Sequence, residues 1–136
     1  MNEKINILNI ELYQTSAKAA MQKVVQYMES DSINTVEIIT MDMLLKGKDM
    51  PGWKEAVESL NLVLPGETEI LEAAGVREKT LLRDTAGQVF LKMFLRYIQR
   101  NKKRVFLVAQ SETELLEMES AIREHDRKLI LAGRGV

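Results

Sequence analysis

The chain's 136 residues are enough for one hydrophobic core of ordinary domain size and leave no room for a second domain. Nineteen basic against twenty acidic side chains give a net charge of −1, so the overall balance offers no electrostatic case for nucleic acid as a partner. The lack of cysteine excludes disulfides, thiolate zinc sites and cysteine nucleophiles.

Taken in chain order, the N-terminus MNEKINILNI alternates charge with short apolar runs and lacks the continuous apolar core of a signal peptide. No later stretch approaches the ~18 apolar residues that span a bilayer, so a cytoplasmic protein is expected. Ile5 to Ile10 reads as a short strand, and Tyr13 to Ser16 as a turn whose hydroxyls cap a helix. That helix runs from about Ala17 to Glu29. Ala17, Ala20, Met21, Val24, Val25 and Met28 fall on three-and-four spacing and make one buried stripe. Ser30 to Asn34 ends it.

The strand Val36 to Thr40 follows, then a helical turn around Met43 to Lys46 and the loop Gly47-Lys48-Asp49. Asp49 is placed to cap the next helix and Pro51 suits its first turn, with Trp53, Ala56, Val57 and Leu60 facing inward. A second strand, Leu62 to Leu64, leads into Pro65-Gly66-Glu67-Thr68-Glu69, and Glu67 to Ala74 forms a short helix closed by Gly75. Asp84 or Thr85 caps a long helix to about Arg100, with Val89, Phe90, Met93, Phe94, Tyr97 and Ile98 on one side. The basic residues Arg100, Lys102, Lys103 and Arg104 sit at its C-terminal end, where cations favour the helix dipole.

Val105 to Ala109 is the clearest strand in the sequence. Ser111 with Glu114 forms a capping box for a helix to about Glu124, and Lys128 to Ala132 is the last strand before Gly133-Arg134-Gly135-Val136. Strands alternating with helices imply an α/β fold: a Rossmann-like parallel sheet of about five strands with helices on both faces, in a single domain over residues 1–136. In such a sheet the carboxyl ends of the strands face the ligand crevice, which makes Thr40-Met41-Asp42 and Pro65 to Glu69 the places to look for chemistry.

Three pieces carry a resemblance: IITMD from Ile38, WKEAVESLNLVLPGETEI from Trp53, and RVFLVA from Arg104 followed by a capped helix and a KLILAG segment. Together they resemble the WecB/TagA/CpsF glycosyltransferases, bacterial enzymes that add N-acetylmannosamine or a related sugar to lipid-linked intermediates of surface polymers. The resemblance implies a UDP-sugar donor, a polyprenyl-diphosphate-linked acceptor and work at the inner membrane face; no cofactor is expected, and no metal site, since no second carboxylate or histidine lies at ligand spacing from Asp42. It implies too that the chain corresponds to the N-terminal two-thirds of the family's domain. The family's downstream Gly-x-Pro-x-Gln-Glu motif and basic C-terminal membrane appendage have no counterpart in these residues. A sheet that stops early is expected to be covered by a second copy or a partner chain.

Residue by residue, Thr40 occupies the place of the family's threonine, Asp42 replaces an asparagine and Leu44 stands where a glutamate is common. Gly66 replaces the aspartate thought to act as general base on the acceptor hydroxyl. Glu67 and Glu69 replace glycines that let backbone amides approach a ligand. In Thr85-Ala86-Gly87-Gln88-Val89-Phe90, the match to Thr-Gly-x-Asp-Leu-Phe, Gln88 replaces the aspartate, and Ala109-Gln110 replaces a Gly-Gly. The implied substrate-binding positions are thus Thr40, Asp42, Gly66, Thr68, Gln88 and Gln110.

General-base catalysis needs a carboxylate within hydrogen-bond reach of the acceptor hydroxyl, and Gly66 supplies none. Glu67 is the one substitute in the neighbouring position; its plainer reading is that it and Glu69 open a helix and favour its positive end. Asp42 reads either as a ligand for a hydroxyl or metal ion or as a helix cap, and Thr40 shares the second reading. His125, the sole histidine, reads as a solvated helix-end residue, Gly133-Arg134-Gly135 as a tail rather than a phosphate turn, and Met41, Met43 and Met50 as core fillers. The expected function is a catalytically impaired or silent relative of the family. The alternatives are an active transferase using Glu67 and an α/β interaction domain without sugar chemistry.

Overall fold

The computed structural model describes residues 3–83, 85–125 and 130–136. The chain divides into two compact units, Met1–Leu91 and Lys92–Val136.

The first unit opens with a hairpin where the sequence suggested one strand. β1 (Glu3–Ile7) pairs antiparallel with β2 (Ile10–Gln14), Ile5 opposite Leu12 and Ile7 opposite Ile10. The two-residue turn puts Leu8 at φ 48° and Asn9 at φ 66°, the positive values that match a tight hairpin to strand twist. Asparagine accepts this conformation readily; leucine does so against its preference, which hides the turn from sequence inspection. Tyr13 and Gln14 therefore belong to the strand rather than to a turn. The alternation sends Ile5, Ile7, Ile10 and Leu12 to one face, where all four are buried.

Helix α1 (Ala17–Glu29) has the expected bounds, because Ser16 accepts the Ala19 amide at 3.1 Å and the chain turns out of helix at Ser30. Ala17, Ala20, Met21 and Val24 are its buried stripe. After it β3 (Val36–Ile39) pairs in parallel with β4 (Leu62–Pro65), Val36 opposite Leu62 and Ile39 opposite Pro65. Asn61 ties their N-terminal ends together by accepting from the Thr35 amide at 2.8 Å and the Thr35 hydroxyl at 3.1 Å.

Two short helices, α2 (Met41–Gly47) and α3 (Trp53–Glu58), form the crossover between those strands. The cap of α3 is Gly52 at φ 80°, not Asp49; Pro51 lies in the turn before it, and Ala56 is exposed. Gly47 has no side chain because the Trp53 ring occupies the space: a Cβ there would lie 2.2 Å from the ring. The ring's Nε1 is buried without a hydrogen-bond partner. Met41, Met43 and Trp53 pack on a core of Ile5, Ile7, Ile10, Leu12, Ile39, Leu44, Val57, Val63, Ile70 and Leu71, whereas Met50 is exposed and fills no gap.

Helix α4 (Thr68–Ala73) ends at Gly75, φ 88°, as its sequence suggested, and a further turn of helix, α5 (Lys79–Arg83), follows. Helix α6 (Ala86–Arg100) begins in the first unit, with Phe90 buried, and continues into the second, where Ile98 is buried.

In the second unit β5 (Arg104–Val108) pairs in parallel with β6 (Ile130–Gly135), with a bulge between Val105 and Phe106. The residues read as a tail are thus strand: Gly133 lies opposite Phe106 and Gly135 opposite Val108. The Phe106 ring explains both glycines, since a Cβ on Gly133 would come within 2.7 Å of it and one on Gly135 within 3.5 Å. Lys128 and Leu129, the expected start of this strand, lie outside the described residues, as does the proposed cap Asp84. Between β5 and β6 runs α7 (Glu112–His125). Ser111 accepts the Glu114 amide at 3.2 Å, while the Glu114 carboxylate reaches the amide of Gln110 at 3.2 Å rather than that of Ser111, so the capping box closes one residue early.

The architecture is mixed α/β. Among the described residues the pairing is three two-stranded sheets, one antiparallel and two parallel, not one parallel sheet of about five strands. Within the first unit β2 runs beside β4 but makes no ladder with it. The single strand expected from Ile5 to Ile10 is instead an antiparallel hairpin turning at Leu8-Asn9, which helix-strand alternation does not reveal because it specifies only crossovers.

Candidate functional site

The carboxyl ends of β3 and β4 are held together by backbone and side chains from three directions. The Gly66 amide donates to the Ile39 carbonyl at 2.8 Å and extends the parallel ladder one step beyond the strands. Thr40 ends β3 and caps α2: its hydroxyl accepts the Met43 amide at 3.1 Å. Glu67 occupies the cap position of α4 but makes no side-chain bond there. Its carboxylate crosses instead to the first turn of α2 and accepts the Met41 amide at 2.6 Å. That contact is short, partly buried and charge-assisted, worth about 1.5–3 kcal/mol. The positive end that Glu67 serves is therefore that of α2, not of its own helix.

Helix α6 closes the third side. A Cβ on Gly87, in its first turn, would lie 2.5 Å from the Pro65 carbonyl oxygen, 2.7 Å from Ile38 Cγ2 and 3.0 Å from the Gly66 Cα. A Cβ on Gly66 would lie 2.8 Å from the same Ile38 methyl and 3.0 Å from the Ile39 oxygen. The missing side chain of Gly87 thus lets helix and loop backbones approach closely, while that of Gly66 would be directed at β3. Gln88 completes the closure by donating Nε2–H to the Gly66 carbonyl at 3.0 Å. One turn earlier, the hydroxyls of Thr68 and fully buried Thr85 lie 2.8 Å apart, and each is 3.3 Å from the Leu82 carbonyl. The Thr85 hydroxyl is spent on that contact, and its carbonyl accepts the Gln88 and Val89 amides.

Thr40, Gly66, Glu67 and Gln88 are therefore brought together at the two strand ends, with Thr68 beside them through Thr85. Asp42 is exposed in the first turn of α2 and pairs with Lys46 at 3.0 Å, an i,i+4 ion pair of the ordinary solvated kind. Gln110 belongs to the other unit, where its amide serves the α7 cap. Among the described residues no group of three His, Asp or Glu side chains is placed to hold a metal ion. His125 ends α7; its side chain lies outside the described set.

The interlocking role of Gly87, and of Ile38 against both glycines, was not read from the sequence. The available signal was a glycine inside an otherwise strong helix, which usually marks a close approach. Two cavities of the first unit lie away from this cluster. One of about 400 Å³ is floored by Leu12, Val57, Leu60 and Val63 and rimmed by Lys4, Glu11, Lys54 and Glu58; another, of about 120 Å³, adjoins the hairpin turn and Trp53.

A family model described as the glycosyl transferase WecG/TagA/CpsF family matches residues 5–135. The chain belongs to that family. The match takes in both strand ends and spans the resemblance seen at IITMD, at LVLPGETEI and at RVFLVA, so the expected relationship holds. No individual curated protein matches the chain. In this WecG/TagA/CpsF member, the loop position that the resemblance assigns to an acceptor-activating aspartate is Gly66, in contact with the α6 backbone. The neighbouring carboxylate, Glu67, is bonded to the backbone of α2.

Proposed function

We propose that this chain is a catalytically silent WecG/TagA/CpsF relative that keeps the family's affinity for a sugar nucleotide, of the UDP-N-acetylmannosamine type, without transferring the sugar. The observation that carries this reading is the 2.6 Å bond from the Met41 amide to Glu67, the substitute base adjacent to Gly66. A carboxylate that caps a helix is already engaged, and a general base must instead reach the acceptor hydroxyl. Crowding at Gly66 supports the same reading, because a Cβ where the family's aspartate is expected would lie 2.8 Å from the Ile38 methyl and 3.0 Å from the Ile39 carbonyl oxygen. The cellular setting proposed with it is the inner membrane face, where polyprenyl-linked intermediates of surface polymers are elongated.

Calorimetry with UDP and UDP-N-acetylmannosamine tests the binding half of the proposal. Dissociation constants in the micromolar range are expected, about −8 kcal/mol. No heat at millimolar ligand would overturn sugar-nucleotide binding and favour an α/β interaction domain.

A further inference from the structure

In the first unit β2 and β4 lie side by side without sharing a ladder, and the backbone groups that face each other across this seam are identifiable. Ile7 and Ile10 flank the two-residue hairpin turn as a hydrogen-bonded pair. Alternation then leaves Asn6 and Glu11 without mutual hydrogen bonds and turns the Glu11 N–H and C=O away from β1, toward β4. On the other side, the Leu62 amide donates to the Thr35 carbonyl and the Gly66 amide to that of Ile39, which directs those groups at β3. The Val63 N–H and C=O therefore point the opposite way, toward β2. No backbone hydrogen bond joins the two strands among the described residues. Val63 is 5% exposed, and a backbone donor and acceptor buried there without partners cost free energy that a ligand carrying both would return.

Glu11 and Val63 both line the cavity of about 400 Å³, a size within the range of small-molecule sites. The hairpin side of its rim carries Lys4 and Glu11, the α3 side Lys54 and Glu58. Each side is an ion pair made loosely, at 3.5 Å between Lys4 and Glu11 and at 4.0 Å between Lys54 and Glu58. All four side chains are partly exposed, so these pairs exchange partners at little cost. Two cations facing two carboxylates favour neither a simple anion nor a simple cation. They match a molecule with one charge of each sign.

We propose that this seam binds a short free peptide, a zwitterionic dipeptide with apolar side chains. Its peptide group supplies the acceptor and donor that the Val63 and Glu11 backbones lack, the pairing that a strand edge offers to an added strand. Its ammonium meets Glu11, its carboxylate meets Lys54, and an apolar side chain rests on half-buried Leu60. The cavity adjoins the end of α3 and the start of β4, whereas the cluster of Gly66 and Glu67 lies past the end of β4. The inference is therefore independent of sugar-nucleotide binding at the strand ends.

Titration of the isotope-labelled full chain with alanyl-leucine, followed by amide NMR, tests it. A dissociation constant of about 1 mM is expected, the affinity that ligand efficiency allows for about fourteen non-hydrogen atoms. The largest shifts should fall on the amides of Glu11 and Val63, with Thr40 and Gly66 unmoved. The blocked analogue, N-acetyl-alanyl-leucinamide, keeps the peptide group without either charge and should bind about tenfold more weakly. The double variant Glu11→Gln, Lys54→Met should weaken alanyl-leucine about tenfold, each partly exposed charge contributing about threefold, and leave the blocked analogue unaffected. No shift at Glu11 and Val63 with the dipeptide at about twenty times the expected dissociation constant would overturn the proposal. So would equal binding of the blocked analogue, an unchanged double variant, or shifts centred on Thr40 and Gly66.

Discussion

Gly87→Ala is expected to lower the melting temperature by roughly 5–10 °C, the shift for a loss of about 1–2 kcal/mol in a domain of this size. The sign is informative, because replacing a helical glycine by alanine ordinarily stabilises by about 0.5–1 kcal/mol through reduced backbone entropy. Here the added methyl meets the Pro65 carbonyl oxygen at 2.5 Å, and a backbone atom cannot swing aside as a flexible side chain does. Either α6 lifts from the loop, breaking the Gln88 bond to Gly66, or β4 shifts against β3. Overpacking of this kind costs about 1–3 kcal/mol and exceeds the propensity gain. Thermal unfolding followed by circular dichroism measures it; a raised melting temperature would show that helix and loop are not in contact.

Glu67→Ala has the second large effect, a loss of about 1.5–3 kcal/mol, because it leaves the partly buried Met41 amide without its charged acceptor. Glu67→Gln keeps an acceptor of similar reach but not the charge, and should lose about half as much. Denaturant unfolding of the three proteins gives the series directly. A Glu67→Ala protein as stable as the parent would mean that the carboxylate is free of α2, and with it free for another task. Thr40→Ala, which removes the other cap of the same helix, provides the scale at about 1 kcal/mol.

The elements with local signals were legible. Helix α1 was read to its end residues because Ser16 caps it and its apolar stripe is uninterrupted, and α4 was closed correctly by Gly75 because only a positive φ ends it there. What escaped were features decided by partners distant in sequence or by unusual backbone. The Leu8-Asn9 turn needs two positive φ values without a glycine, and Gly133-Arg134-Gly135 becomes strand because Phe106, 27 residues before Gly133, covers the glycines. At the site, the sequence located the two loops and the glycine at position 66. It did not reveal that Glu67 would serve the opposite helix, because a residue at a cap position usually bonds its own.

Silence at the strand ends is tested most directly by a transfer assay with UDP-N-acetylmannosamine and a polyprenyl-diphosphate-linked acceptor, comparing the parent chain with Glu67→Gln. Neither protein is expected to form glycosylated lipid above the enzyme-free background. Product formed by the parent and lost in Glu67→Gln would contradict the proposal and make Glu67 the base.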